Sequence, residues 1–531
     1  MALSTIIKEE CPKCGKTAIE VSSSTIFGVK EIKLQCGHNL LKTSLADSTL
    51  AVSDYELIKS NDGKSLRPYQ IDGIKFWEAN DCLGILADEQ GLGKMVQGIC
   101  TLRLHHTKLL PAIIACPTTI KQQWMYEILR WQGEHKFKIQ VLNDGKTVAL
   151  PGFDIYIITY DILKKASVFD YVGDISTIVL DECQRIKNHL ADRAKAVQAI
   201  VKDRNIKHIM PMSGTPIKNN AGEYFTVLNL VAPRIFPSYE RFISGYCNSY
   251  SDSWNTKVGG LLDVKGFHEI TRGIVLRRTK PEVLPDLPKL DRRFHHVELD
   301  RKLNKAYAKA LDDLDNALYD DTVSEFERSS NTLAIMARLR HITGISKVTE
   351  AIEFTTEFLL SCDRKITIFV HHQDVGSLLQ DQLNKWCKDG GFSPILMMHS
   401  GLDGNARAEL ARKFKDEASS RVMIASTLAA GEGLNLQFCS DAIILERQWN
   451  PANESQAEAR FHRFGQENAV SITYMIASAT IDEYFTELVE QKRSIIDAAM
   501  DGIESNWQEN DLMKNLAQTL VTKGRNRWSL I

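Results

Sequence analysis

Residues 87–95 read Ala-Asp-Glu-Gln-Gly-Leu-Gly-Lys-Met, and this stretch is the strongest indication of the fold class. It lies between an apolar segment typical of a buried strand, Cys82–Leu86, and a helical pattern over Val96–His106. Gly91 and Gly93 lack Cβ atoms, so backbone N–H groups can close around an anion. A strand, a glycine-rich loop and a helix in this order predict a phosphate-binding loop in an α/β domain.

The last two residues of this loop carry its chemistry. Lys94 supplies a compact positive charge for the β- and γ-phosphates of a nucleotide. The next residue is normally Ser or Thr, whose hydroxyl binds Mg²⁺, and here it is Met95, whose thioether is a poor ligand for a hard cation. The loop therefore predicts ATP and Mg²⁺ as cofactors, with weaker hydrolysis at Met95. The open alternative is a near-normal ATPase in which water replaces the hydroxyl.

Short apolar runs alternate with helical patterns along most of the chain. In the first half they are Ala112–Cys116, Ile139–Leu142, Ile155–Thr159, Thr177–Leu180 and Ile209–Met212, and in the second half Ile366–Phe369, Ile395–Met398, Val422–Ala425, Ala442–Leu445 and Ile472–Met475. Continuous apolar strands separated by helices indicate parallel sheets covered on both faces. Residues 221–345 have a mostly helical pattern. We therefore expect two α/β lobes with helical insertions between them.

Composition limits the class of protein. The chain has 531 residues and a formal net charge of −2, so it has no global basicity, although a local basic groove is still allowed. No apolar run approaches the ~18 residues of a membrane helix. The 11 cysteines are scattered, and most lie in apolar segments as reduced core residues do. We expect an intracellular monomer in the cytoplasm or host nucleoid, or in the nucleus of a eukaryote, without membrane association.

Two further patterns complete a candidate ATP site. The apolar run before Asp181 and Glu182 places two carboxylates at the end of a strand, where Asp181 can hold Mg²⁺ and Glu182 can orient the attacking water. Arg460 and Arg463 are spaced i,i+3, so we expect them on one helical face, where they can stabilise charge on the transferred phosphate. A solvated helix face is the commoner meaning of such an arginine pair.

The N-terminal residues form a separate pattern. Cys11, Cys14, Cys36 and His38 have the spacing and ligand types of a tetrahedral zinc site, with the fourth ligand the least typical. The alternative is a small β module with reduced cysteines. Residues 1–45 are therefore predicted to be a zinc-ribbon-like module that docks DNA or a protein partner.

Together these motifs resemble the Swi/Snf class of superfamily-two helicase-like ATPases, with some similarity to its annealing-helicase branch. The resemblance covers roughly residues 64–500 and rests on motifs in the family's order. They begin at Leu66 (LRPYQ), Leu86 (LADEQGLGK), Cys116 (CPT, then Gln123-Trp124), Ile158 (ITYD), Asp181 (DECQRIKN), Ser213 (SGTPI), Leu276 (LRRTK), Phe369 (FVHH), Ser426 (STLAAGEGLNL) and Trp449 (WNP). The chain departs from the family pattern at three places, namely Met95, the Cys183-Gln184 pair and Gln448.

The resemblance implies an ATP site between two RecA-like lobes and a groove that tracks the backbone of double-stranded DNA. The implied nucleotide-binding residues are Arg67, Gln70, Asp88, Gly91, Leu92, Gly93, Lys94, Met95 and Gly433. The implied DNA-contacting residues are Thr118, Lys121, Thr159, Tyr160, Lys187, Arg277, Arg278 and Thr427. The implied catalytic residues are those named above, with Lys94 among them.

The sequence therefore predicts an ATP-driven motor on double-stranded DNA that remodels, displaces proteins or anneals strands, for example in repair or recombination. The alternatives are an ATP-gated DNA clamp crippled by Met95 and a defence-system motor that needs a nuclease partner. No chromatin-reading domain is visible, which favours a compact bacterial, phage or viral protein. The expected domains are a zinc module (1–45), linker (46–64), first lobe (65–290), helical linker (291–350), second lobe (351–500) and tail (501–531).

Overall fold

The computed structural model describes residues 55–217, 220–251, 256–320, 322–399, 401–402, 404–427, 435–501 and 520–522, and the backbone of four strands near the N-terminus. The chain divides into two compact units. Unit 1 comprises Met1–Val283 with Ala499–Glu504, and unit 2 comprises Leu284–Ala498 with Ser505–Ile531. Within the described ranges, every helix falls short of the length and apolarity that a membrane crossing requires.

The N-terminal strands form an antiparallel sheet. They are β1 (Lys8–Glu10), β2 (Thr17–Ile26), β3 (Val29–Leu34) and β4 (Asn39–Thr43), paired in chain order. The predicted zinc ligands Cys11, Cys14, Cys36 and His38 all lie outside the described residues. The zinc site therefore stays a prediction.

Unit 1 is built on a parallel sheet of seven strands. They are β5 (Ile85–Leu86), β6 (Ala112–Cys116), β7 (Ile139–Val141), β8 (Ile155–Thr159), β9 (Thr177–Asp181), β10 (His208–Met212) and, after a hairpin of β11 (Cys247–Ser251) and β12 (Thr256–Leu261), β13 (Val275–Leu276). The spatial order is β13-β5-β10-β9-β6-β8-β7. The strands β6, β8, β9 and β10 are buried along their whole length, as expected where both faces of a sheet are covered.

The helices described in unit 1 lie between these strands. They are α1 (Pro68–Ala79), α2 (Lys94–Leu104), α3 (His106–Leu109), α4 (Lys121–Trp131), α5 (Tyr160–Leu163), α6 (Asp192–Asp203), α7 (Phe225–Val231), α8 (Tyr239–Tyr246), α9 (Val264–Thr271) and α10 (Lys280–Val283). Both α1 and α4 pack against α2, the helix that follows the glycine-rich loop. The loop is therefore supported from both sides of its helix.

Two features of unit 1 differ from the sequence expectation. The strand β5 is shorter than the predicted run over Cys82–Leu86, because Asp81 and Cys82 adopt left-handed backbone angles (φ 53° and 57°) that turn the chain. The segment predicted as mostly helical contains the hairpin β11–β12 and, at the edge of the sheet, β13.

Unit 2 has a second parallel sheet, of six strands. They are β14 (Leu290–Val297), β15 (Ile366–Val370), β16 (Leu396–Met398), β17 (Val422–Ser426), β18 (Asp441–Ile444) and β19 (Val470–Ala477), in the spatial order β14-β19-β18-β15-β17-β16. The described helices are α11 (Arg301–Leu318), α12 (Glu325–Ser346), α13 (Val348–Ser361), α14 (Gln373–Gly390), α15 (Gly404–Asp416), α16 (Pro451–Phe461) and α17 (Ile481–Asp501). Two parallel sheets in one chain confirm the predicted α/β class.

Every apolar run predicted as a strand in unit 2 lies within or overlaps an observed strand, whereas β14 was not predicted. Its sequence, Leu-Asp-Arg-Arg-Phe-His-His-Val, lacks a continuous apolar run. It lies at the edge of the sheet, beside β19, and most of its residues are exposed. A strand at the edge of a sheet has a neighbour on one side only and can carry exposed polar residues. Such a strand lacks the continuous apolar run by which the buried strands were predicted.

Candidate functional site

The glycine-rich loop joins β5 to α2. Gly91 and Gly93 both have left-handed backbone angles, with φ of 92° and 77°. A Cβ atom on Gly93 would lie 2.5 Å from the side-chain nitrogen of Gln70, so a larger residue does not fit there. Gln70 also accepts a hydrogen bond from the Arg67 backbone N–H (3.0 Å) and donates one to the Leu92 carbonyl (3.4 Å). The start of α1 therefore braces the loop.

Lys94 opens α2 with its ammonium group turned back into the loop. Its Nζ donates to the backbone carbonyls of Asp88 (2.6 Å) and Glu89 (3.3 Å). Burial lowers the pKa of Lys94, and the negative charges of Glu182, Asp88 and Asp181 act in the opposite direction. The structure therefore brings the predicted phosphate-binding lysine and the predicted catalytic carboxylates into one electrostatic site.

The carboxylate of Asp88 supports the loop from behind. It is fully buried, and both of its oxygens bind the guanidinium of Arg278, at 2.8 Å from Nε and 2.5 Å from Nη2. Gln97 of α2 donates to the same carboxylate (3.1 Å). Asp88, which was predicted to bind nucleotide, is thus committed to the loop's own scaffold.

At the end of β9, Asp181 and Glu182 follow three apolar residues, Ile178–Leu180. Asp181 is 7% exposed; its Oδ2 accepts a hydrogen bond from the indole of Trp124 (2.7 Å) and its Oδ1 from the backbone N–H of Glu182 (2.9 Å). Burial, with the neighbouring charge of Glu182, raises the pKa of Asp181 to about 7. Carboxylate oxygens are the ligands that Mg²⁺ prefers, and a divalent cation here would hold Asp181 ionised. The residues present therefore fit Mg²⁺.

Glu182 is held by a chain of side-chain hydrogen bonds that was not predicted. Its own backbone is left-handed (φ 50°), a conformation that is costly for a non-glycine residue and that clusters at functional sites. The amide of Gln184 donates to Glu182 Oε2 (2.6 Å) and accepts from the hydroxyl of Ser213 (2.6 Å). The Thr215 N–H in turn donates to the Ser213 oxygen (2.9 Å). Gln184, a departure from the family pattern, therefore links two motifs of unit 1.

Met95 follows Lys94 in α2 and packs, partly buried, against the apolar core of unit 1. The weaker hydrolysis expected at Met95 stays a prediction.

Most residues predicted to contact DNA have internal partners in the structure. Tyr160 is 2% exposed and donates its hydroxyl to the Asp181 carbonyl (2.8 Å), and Lys121 is 6% exposed and donates to the Leu142 carbonyl (3.2 Å). The remaining residues of this set and their partners are Lys187 with Glu223, Arg277 with the Ala87 and Gly214 carbonyls, Arg278 with Asp88, Thr159 with the Ile162 N–H, and Thr427 with the Val370 carbonyl.

These partners describe how the side chains of this set lie in the protein, and the DNA contacts expected of them stay predictions. Their hydrogen bonds hold loops and strand ends within unit 1 and, for Thr427, within unit 2. Thr118 differs from them, since it is exposed at the end of β6. It also stays a predicted DNA contact.

The arginine pair lies in unit 2. Arg460 is the tenth residue of α16, but the helix ends at Phe461, and Arg463 follows in a turn in which its N–H donates to the Phe461 carbonyl. The prediction of one shared helical face is therefore wrong. Gly433, another predicted nucleotide-binding residue, lies outside the described residues.

The same helix α16 carries a buried ionic network instead of a solvated face. Glu458 is 3% exposed and binds Arg292 through both oxygens (2.8 and 2.6 Å) and the hydroxyl of Tyr474 (2.5 Å). Burial alone would raise the pKa of Glu458, but Arg292 and Arg493 lower it to about 2. The network therefore stabilises unit 2 by charge pairing.

Two family models match the chain in sequence. The model of the SNF2-related domain matches residues 69–345, and that of the helicase conserved C-terminal domain matches residues 347–465. Together they cover every strand of the two parallel sheets except β19.

Two curated relatives and one solved structure are similar to this chain over most of its length. The SWI/SNF-related matrix-associated actin-dependent regulator of chromatin subfamily A-like protein 1 of Xenopus tropicalis is 28% identical over 88% of this chain and 48% of its own length. The DNA annealing helicase and endonuclease ZRANB3 of Bos taurus is 24% identical over 90% and 44%. The chain thus spans about half the length of these relatives. The Sulfolobus solfataricus SWI2/SNF2 ATPase core in complex with double-stranded DNA is 25% identical over 83% of this chain and 94% of its own length, with a TM-score of 0.38.

Proposed function

The chain belongs to the SNF2-related domain family, and from this premise we propose that it is an ATP-driven motor that tracks double-stranded DNA. The observation that carries the proposal is the site in unit 1. There, one buried arrangement contains the loop lysine Lys94, the strand-end carboxylates Asp181 and Glu182, and the Gln184–Ser213 link to the next motif.

Each of these side chains has a task in ATP hydrolysis. Lys94 neutralises the β- and γ-phosphates, and release from the loop carbonyls frees its ammonium group for them. Asp181 holds Mg²⁺, which supplies charge neutralisation to the phosphates when bound. Glu182 orients the attacking water, and Gln184 keeps its carboxylate in position. Arg460 and Arg463 of unit 2 are proposed to stabilise charge on the transferred phosphate.

The substrate polymer is proposed from the relatives and from one exposed segment. Relatives named as a regulator of chromatin and as a DNA annealing helicase support a DNA motor, and we propose remodelling, protein displacement or strand annealing as its outcome. Thr118, exposed just after β6, is proposed as one of the side chains that contact a phosphate. Contacts to the backbone of the duplex give sequence-independent binding that weakens with salt.

The alternative function, an ATP-gated DNA clamp, depends on Met95. If the thioether of Met95 disturbs Mg²⁺, the protein binds ATP and clamps DNA with little turnover. Met95 packs against the apolar core of unit 1, and the motor requires that water take the place of the missing hydroxyl among the metal's ligands.

Movement along a duplex is measured by displacement of a third DNA strand. A fluorescent oligonucleotide is bound as a triplex at one end of a long duplex, and the full chain is added with ATP. We expect release with ATP and none with a non-hydrolysable analogue or with Glu182→Gln. Equal release with ATP and with the analogue would contradict tracking, and ATP binding without any release would support the clamp.

A further inference from the structure

The indole of Trp124 contacts the predicted magnesium ligand directly. Trp124 lies in α4, 57 residues before Asp181, and its Nε1–H donates to Asp181 Oδ2 over 2.7 Å. Trp124 is fully buried and Asp181 is 7% exposed, so solvent does not compete for this hydrogen bond. The other oxygen of Asp181 accepts from the backbone N–H of Glu182. The carboxylate is therefore held by one backbone donor and one side-chain donor.

We infer that Trp124 is a positioning residue that orients the Asp181 carboxylate for Mg²⁺, an inference that rests on the proposed ATPase function. A tryptophan indole donates one hydrogen bond and accepts none, so it fixes the carboxylate without competing for the cation. Residues that hydrogen-bond to metal ligands set the orientation of those ligands, and their loss typically weakens metal binding about 10- to 100-fold.

The surroundings of the ring keep the donor in place. A Cβ atom on Gly98 of α2 would lie 3.8 Å from the Trp124 ring and 3.5 Å from the sulfur of Met212 in β10. The indole is thus enclosed between the helix that follows the glycine-rich loop and the centre of the sheet. Because the ring is fully buried in the apolar core of unit 1, its N–H cannot turn away from Asp181 without repacking that core.

The same helix offers a matched control. Trp131 is also buried, at 4% exposure, and its indole nitrogen has no hydrogen-bond partner among the described residues. Trp124→Phe and Trp131→Phe therefore remove the same atoms from the same helix, but only the first removes a donor from Asp181.

The test measures nucleotide binding without turnover and without DNA. A fluorescent, non-hydrolysable ATP analogue is titrated into the full chain in EDTA, and its binding is then followed across a Mg²⁺ titration. For Trp124→Phe we expect affinity in EDTA within about twofold of the parent, and a Mg²⁺ midpoint raised about tenfold. Trp131→Phe should match the parent in both. If Trp124→Phe fails to fold, 3-benzothienylalanine at position 124, which keeps the ring's shape and replaces N–H by sulfur, gives the same comparison.

The results separate this inference from the proposed function. A Mg²⁺ midpoint unchanged by loss of the donor would overturn the role of Trp124, and so would an equal rise in both variants, since that reports general loosening of α4. A parent chain that binds the nucleotide with Mg²⁺ but shows no turnover with DNA would contradict the motor and leave the Trp124 result standing.

Discussion

Arg278 binds both carboxylate oxygens of Asp88, a residue 190 positions earlier in the chain, and so joins the end of β13 to the glycine-rich loop. Asp88 is fully buried and the Arg278 side chain is 12% exposed. The family resemblance implied a DNA contact for Arg278 and a nucleotide contact for Asp88. The structure gives both residues to one buried ion pair that shapes the loop.

Removal of Arg278 should loosen the loop. In Arg278→Ala the Asp88 carboxylate stays buried without its cation, which typically costs about 3–5 kcal/mol. We expect faster amide hydrogen exchange in residues 87–95 and weaker ATP binding. Arg193→Ala, which breaks an exposed pair with Asp161, should change the free energy of unfolding by less than about 1 kcal/mol. Unchanged exchange in the loop of Arg278→Ala would show that the pair is dispensable.

Gln184 should affect the rate of hydrolysis more than nucleotide affinity. Its amide links Ser213 to Glu182, so Gln184→Ala frees the carboxylate that orients the water. We expect kcat to fall roughly 10- to 100-fold with KM for ATP little changed. Because Ser213 acts through Gln184, the double variant with Ser213→Ala should be no slower than Gln184→Ala alone. Additive losses would mean that the two residues act independently.

Met95 should limit turnover. Met95→Thr restores a hydroxyl for Mg²⁺, and we expect kcat to rise up to roughly tenfold, equivalent to about 1.4 kcal/mol of transition-state stabilisation. Met95→Leu keeps the packing against the apolar core and should retain the parent rate. Steady-state ATP hydrolysis at saturating Mg²⁺ compares the three proteins. If the Thr variant is no faster, water already serves as the substitute ligand.

The stability of unit 2 should fall at acid pH through Glu458. Its pKa is lowered from 4.5 to about 2 in the folded chain, so its stabilisation is complete above about pH 4.5 and is lost as pH falls toward 2. The shift corresponds to about 3 kcal/mol. We expect the stability gap between the parent and Glu458→Gln, followed by urea unfolding, to narrow across this range. Glu409→Gln, which breaks an exposed pair with Arg412, should show little gap at any pH. A gap for Glu458→Gln that is constant with pH would contradict the role of this charge.

The central strands were predictable because coverage of both faces of the sheet both buries them and requires apolar residues along their length. A strand such as β6 (Ala-Ile-Ile-Ala-Cys) is covered on both faces, so every residue is apolar. The edge strand β14 and the helix α16 lack this signal. In α16, Glu454 and Glu458 have the composition of a solvated face, and only their distant partners Arg447, Arg493 and Arg292 make their burial possible.

The candidate site likewise contains residues whose role the sequence predicts and residues whose role it does not. The residue types of Lys94, Asp181 and Glu182 report their chemistry, because few other functions require that set. The sequence does not reveal the role of the residues that support them, because Trp124 and Gln184 bind Asp181 and Ser213, which are 57 and 29 positions away and which only the fold brings within hydrogen-bond distance. A motif therefore names positions that matter, but it does not tell a ligand contact from a scaffold contact, as Arg278 shows.

The most direct test of the motor is steady-state ATP turnover of the full chain during titration with blunt duplex DNA at low salt. We predict a rate that rises and saturates with duplex, responds less to single-stranded DNA, falls as salt is added, and is abolished in Lys94→Ala. A rate that stays constant across the duplex titration, in protein that binds ATP, would contradict the account.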